Sequence, residues 1–76
     1  MSDNVSALRK VLQKFMDSPE RLRFFGNGMV ILAEGFVAHV GDDVVSIKHH
    51  MKEEPDEFLR IDCIVKIAVL GEYRQY

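Results

Sequence analysis

Tryptophan is absent from this 76-residue chain, cysteine occurs once and proline twice. Each scarcity excludes something. A lone Cys63 cannot close an internal disulfide, so the fold is not a disulfide scaffold. No apolar stretch reaches the length of a membrane-spanning helix. The first residues are amphipathic and charged, where a secretory signal would be continuously apolar. These features together point to the cytoplasm. A basic surplus is also missing: ten Lys and Arg against twelve Asp and Glu leave a net charge of -2, without the excess that usually accompanies phosphate-backbone binding. A local basic ring can still hide inside an acidic total. Without Trp, the bulky core filling must come from Phe15, Phe24, Phe25, Phe36 and Phe58.

What is present is one domain, residues 1–76, with 47% hydrophobic residues, enough for a compact core and too many for disorder. A chain this short buries only about 60% of its unfolded surface, so its stability leans on partners. Cys63 sits among Ile61, Asp62, Ile64 and Val65, where a small buried thiol is expected.

Over about residues 3–17, Val5, Leu8, Val11, Leu12, Phe15 and Met16 recur at spacings of three and four, one face of an α-helix. Ser2 or Asp3 can cap its start. Pro19 biases Ser18 away from helical geometry and ends it near Asp17. A helix of about four turns is too short to stand alone, so its apolar stripe must dock on a sheet.

From Arg21 the period changes to two. "RLRFF" reads as a first strand, and "FFGNGMV" places Asn27 and Gly28 where a two-residue hairpin turn would use positive φ. "MVILAEGFVAHV" follows, with Gly35 in its middle where the sheet should bulge or bend. Gly41, Asp42 and Asp43 make a second turn into "VVSIKHHM". The loop "KEEPDE" should be exposed, and "FLRIDCIVKIAVL" divides into two strands at a short turn near Asp62 to Ile64. The barrel then runs over about residues 21–70, and 71–76 form a solvated tail. Short connections predict an antiparallel meander of five strands, strongly bent, with the helix over one end: a mainly β, small open barrel. Its terminal strands would be bare edges rich in Val and Ile, which predicts strand-to-strand association into a ring-like homo-oligomer.

This order of helix, "NG" turn, bent strand with a central Gly, "GDDVVSI", loop and "RIDCIVKIAV" resembles the Sm and Hfq group of small barrels, over about Leu8 to Val69. "GFVAHVGDDVVSI" is the nearest stretch. The resemblance implies a subunit that joins its last two strands to its neighbours in a ring of roughly five to seven copies that commonly binds RNA. On those strands Leu59, Ile61, Val65, Ile67 and Val69 become the oligomer-interface candidates. Where Hfq-type proteins carry a Tyr-Lys-His run for RNA, this chain reads Arg60, Ile61 and Asp62, so Arg60 alone is left as a phosphate contact there.

No catalytic constellation is legible. His39 stands on the bent strand with no nucleophile or paired carboxylate beside it in the sequence, and the glycines of "FFGNGMV" open a strand where a phosphate loop would open a helix. His49 and His50 point to opposite faces of a strand. His49 with Glu53 or Glu54 offers two contacts where a structural zinc site needs four, so a solvated strand end is the expectation, with no metal and no cofactor. Arg9, Lys10 and Lys14 cluster on the polar helix face, blunted by Asp3 and Asp17; repeated around a ring they would make a cationic rim. Two expectations follow: a ring that binds RNA through Arg9, Lys10, Lys14 and Arg60, or an assembly or adaptor module with the same barrel that binds protein.

Overall fold

The computed structural model describes residues 3–72, the side chains of 3, 4 and 72 excepted; the cap expected at Ser2 or Asp3 and tail positions 73–76 fall outside the described part. Helix α1 (Asp3–Lys14) is followed by β1 (Glu20–Phe25), β2 (Ile31–Val40), β3 (Val44–Lys48), β4 (Glu57–Arg60) and β5 (Lys66–Glu72). The five strands form one antiparallel sheet in the order β4-β3-β2-β1-β5, bent into a small open barrel whose outer strands are β4 and β5. No described helix is long and apolar enough to cross a membrane.

The expected meander holds from β1 to β4 and fails at β5, which pairs with β1 and leaves β4 alone. A 3-10 turn over Ile61–Cys63 is the cause. It ends β4, drops Ile61 into the core and turns the chain, and the Val65 N–H then donates to the Phe25 carbonyl at 2.8 Å to start β5 beside β1. Among the described residues the bare edges are therefore β4 and β5, the last two strands, and β1 is interior.

The first hairpin is wider than a two-residue turn. Gly26 to Val30 separate the strands, with the Gly26 N–H donating to Val30 O at 2.7 Å and a 3-10 turn between. Positive φ falls on Gly28 at 76° and Met29 at 61°, one residue later than the Asn-Gly reading puts it. The helix ends at Lys14, and single hydrogen-bonded turns carry the chain on, Phe15 N–H to Leu12 O at 3.0 Å and Ser18 N–H to Phe15 O at 3.2 Å.

Leu22, Phe24, Ala33, Val37, Val40, Val45, Ile47, Ile61 and Ile64 fill the barrel, and Leu12 caps it from the helix. Strand β2 keeps its apolar face inward through Val37. An unpaired Ala38 then shifts the phase by one, so His39 is exposed and Val40 returns to the core. Of the five phenylalanines, Phe24 and Phe36 are buried, Phe15 and Phe25 are half-buried, and Phe58 is 66% exposed on the edge strand β4. The expectation that these five supply most of the bulky core filling fails at Phe58, because no described strand lies beyond β4.

Cys63 is exposed, against the buried position expected of it. The same 3-10 turn explains this, since it gives the inward positions to Ile61 and Ile64 and turns Asp62 and Cys63 outward. The thiol is expected to react with an aromatic disulfide reagent as completely in the folded protein as in denaturant. A thiol that titrates only after unfolding would contradict this placement.

Candidate functional site

The two bare edges present different surfaces. On β4, Glu57 and Leu59 are half-buried, while Phe58 and Arg60 face solvent. On β5, Val69 is 51% exposed and Leu70 is exposed, while Ile67 packs against the core. A bulge at Leu70, where Arg21 pairs with Gly71 and Leu22 with Val69, gives Gly71 a φ of 95°.

The sequence-derived interface set divides accordingly. Val69 stands exposed on the β5 edge, and Val65 is exposed just before it. Leu59 and Ile67 lie on the edge strands but lean on the core. Ile61 is wholly buried beneath α1 and is removed from the interface set, because the 3-10 turn carries it off the strand and into the barrel. Between α1 and this turn runs a shallow apolar groove of about 570 Å³ lined by Val5, Leu8, Val11, Ile64 and Val65. Val11, expected on the buried helix stripe, lies on its open side.

The cations are less free than the sequence implies. Arg9 Nε donates to the Gly41 carbonyl at 2.9 Å, and its Nη2 stands 3.6 Å from Asp42, so it ties the helix to the β2–β3 turn. Arg60 Nη2 pairs with Asp62 at 2.7 Å. Arg21 and Arg23 share Glu34 across the β1–β2 ladder, at 3.4 and 2.5 Å. Lys10 and Lys14 remain exposed on the outer helix face. Lys66 Nζ sits 5.0 Å from the Phe25 ring centroid, a cation–π contact that sequence reasoning missed. The Arg21, Arg23 and Glu34 group was readable, since alternate residues on β1 share a face and a hairpin register sets them against β2.

Replacing Arg9 with Ala is expected to lower stability by about 1 kcal/mol, the worth of one partly exposed charge-assisted hydrogen bond. Urea unfolding checks it. An unchanged midpoint would mean that the helix is held by its apolar stripe alone.

His49 follows the end of β3, where the strand was expected to run on to Met51. Its Nε2 meets Glu57 Oε1 at 2.9 Å and Asp56 Oδ1 at 3.5 Å. The partners expected from the sequence, Glu53 and Glu54, are exposed in the loop. A cleft of about 370 Å³ is lined by Arg21, Glu34, Gly35, His49 and His50.

Compared with family models, with curated proteins and with solved structures, the chain matches none.

Proposed function

We propose that this chain is a non-catalytic small-barrel module of the Sm-like kind whose copies join edge to edge into a closed homo-oligomeric ring. The observation that carries the reading is the pair of bare, dissimilar edges, β4 and β5, at opposite ends of one sheet. Each carries unpaired backbone donors and acceptors and an exposed apolar residue, Phe58 or Val69. Because the edges differ, β4 of one copy pairs with β5 of the next, and a repeated head-to-tail contact closes into a ring of roughly five to seven subunits. Light scattering on the eluting protein tests it: a mass about five to seven times 8.7 kDa supports the ring, and a monomer or a dimer at working concentration removes it.

Two readings of the ring's ligand stand on different observations. Exposed Lys10 and Lys14, repeated in every copy, support RNA binding. The engagement of Arg9, Arg21, Arg23 and Arg60 by carbonyl or carboxylate groups supports the adaptor reading, in which the surface binds protein. A salt-dependent rise in fluorescence anisotropy with short oligo-U or oligo-A supports RNA. No change at low salt and about micromolar protein, the upper end of typical nonspecific affinities, supports the adaptor.

A further inference from the structure

The connection from β3 to β4 begins and ends with metal-ligating side chains. His49 is its first residue and Asp56 its last, and Glu57 opens β4. One ligand atom from each of His49, Asp56 and Glu57 lies within 4.8 Å of the other two. A divalent transition ion holds nitrogen and oxygen donors at about 2.0 to 2.2 Å, which places adjacent donors about 2.8 to 3.6 Å apart across octahedral and tetrahedral geometries. The separations of 2.9 and 3.5 Å from the imidazole already match that spacing.

Hydrogen-bond arithmetic separates this group from an ordinary surface ion pair. Nε2 carries at most one hydrogen, and two carboxylates converge on it. One N–H serves Glu57 well and leaves Asp56 facing the same nitrogen without a hydrogen of its own. A dication in place of that proton satisfies both carboxylates, and two carboxylates with a neutral imidazole match its charge. The backbone holds two of the ligands in position: Glu57 pairs with Ile47 in the β3–β4 ladder, and the Asp56 N–H donates to the Ile47 carbonyl at 3.2 Å. Of the neighbouring cations, Arg21 pairs with Glu34 and Lys48 Nζ donates to the Met51 carbonyl.

We propose that His49, Asp56 and Glu57 form a divalent transition-metal site at the base of the β3–β4 loop, with water completing the coordination shell. The mixed imidazole and carboxylate set selects ions such as Zn²⁺ or Co²⁺ over Mg²⁺ and Ca²⁺, which prefer oxygen donors alone. The bound ion clips the loop closed at the foot of the edge strand β4. The site lies within one chain, so it stands whether or not copies assemble.

Titration of the chelator-treated full chain with ZnCl₂ or CoCl₂, by calorimetry and by thermal unfolding, tests the site. The expected result is about one ion per chain with a raised melting temperature, and no effect of MgCl₂ at the same concentration. H49Q, D56N and E57Q should each weaken binding by about tenfold or more, and H50Q should leave it unchanged. All three ligands are at least partly exposed, so these variants should keep the wild-type circular dichroism. Absence of heat and of any melting shift with millimolar Zn²⁺ would overturn the proposal. So would binding that survives both D56N and E57Q, or that disappears in H50Q.

Discussion

Gly35→Val is expected to lower stability by about 3 kcal/mol, the upper end of the cost of forcing atoms into a filled interior. At Gly35, paired with Leu22 where the sheet bends, an added Cβ would lie 2.5 Å from the Lys48 carbonyl oxygen and 2.8 Å from Ile47 Cγ2. The first of these atoms is backbone and belongs to a strand held in register on both sides, so it cannot swing away as a side-chain end could. Relief requires β2 and β3 to part at this position. For a domain of this size each kcal/mol moves the melting temperature by about 4 to 8 °C, so a fall of about 12 to 24 °C is expected in a thermal melt. Gly35→Ala should do nearly as much damage, because the obstruction is met by Cβ itself. Gly28→Ala is the contrast: at φ 76° it meets nothing within 4 Å, so only backbone strain of about 1 kcal/mol applies. If Gly35→Val melts no lower than Gly28→Ala, the close approach that bends the sheet is absent.

The sequence carries the bend because glycine in the middle of an otherwise β-forming run has few other uses, and the alternation of "RLRFF" and "VVSI" sets which face is buried. The helix stripe is legible for the same reason of period. What the sequence leaves out is long-range. Nothing in "KIAVL" says whether that strand lies beside β4 or β1, since both partners offer the same backbone groups. The choice is made by Ile61, whose burial redirects the chain at the short turn that the imperfect alternation near Asp62 to Ile64 marks without giving its direction. That single turn displaces three expectations: the meander, Cys63 in the core and Ile61 at the interface. The metal-ligating group is hidden for a related reason. His49 and Glu57 are eight positions apart, and only the closure of the β3–β4 hairpin brings them to 2.9 Å, while the nearer Glu53 and Glu54 attract attention first. Charge is the third gap: counting Arg9 and Arg60 as available cations ignores the Gly41 carbonyl and Asp62, which lie against them only in the fold.

If copies join edge to edge as proposed, Val69→Lys is expected to leave a monomer of 8.7 kDa with the fold intact. Val69 is about half exposed on the outer strand β5, so the substitution touches the edge and should change the stability of the protomer by no more than about 0.5 kcal/mol. Ile67→Lys cannot make the same separation, because Ile67 leans on the core and a charge there would loosen the barrel as well as the edge. Phe58→Lys does the same work from the other side, since Phe58 stands exposed on β4. The two variants together discriminate between symmetries. If β4 pairs with β5, the Val69→Lys chain keeps a working β4 edge and the Phe58→Lys chain a working β5 edge. Each alone is a monomer, and mixing them gives a one-to-one dimer of twice 8.7 kDa that cannot grow further. If like edges pair instead, β5 with β5, the Phe58→Lys chain still dimerises by itself and mixing adds nothing. Light scattering of the three samples reads the difference, and self-association of the Phe58→Lys chain would end the ring proposal while leaving the barrel untouched.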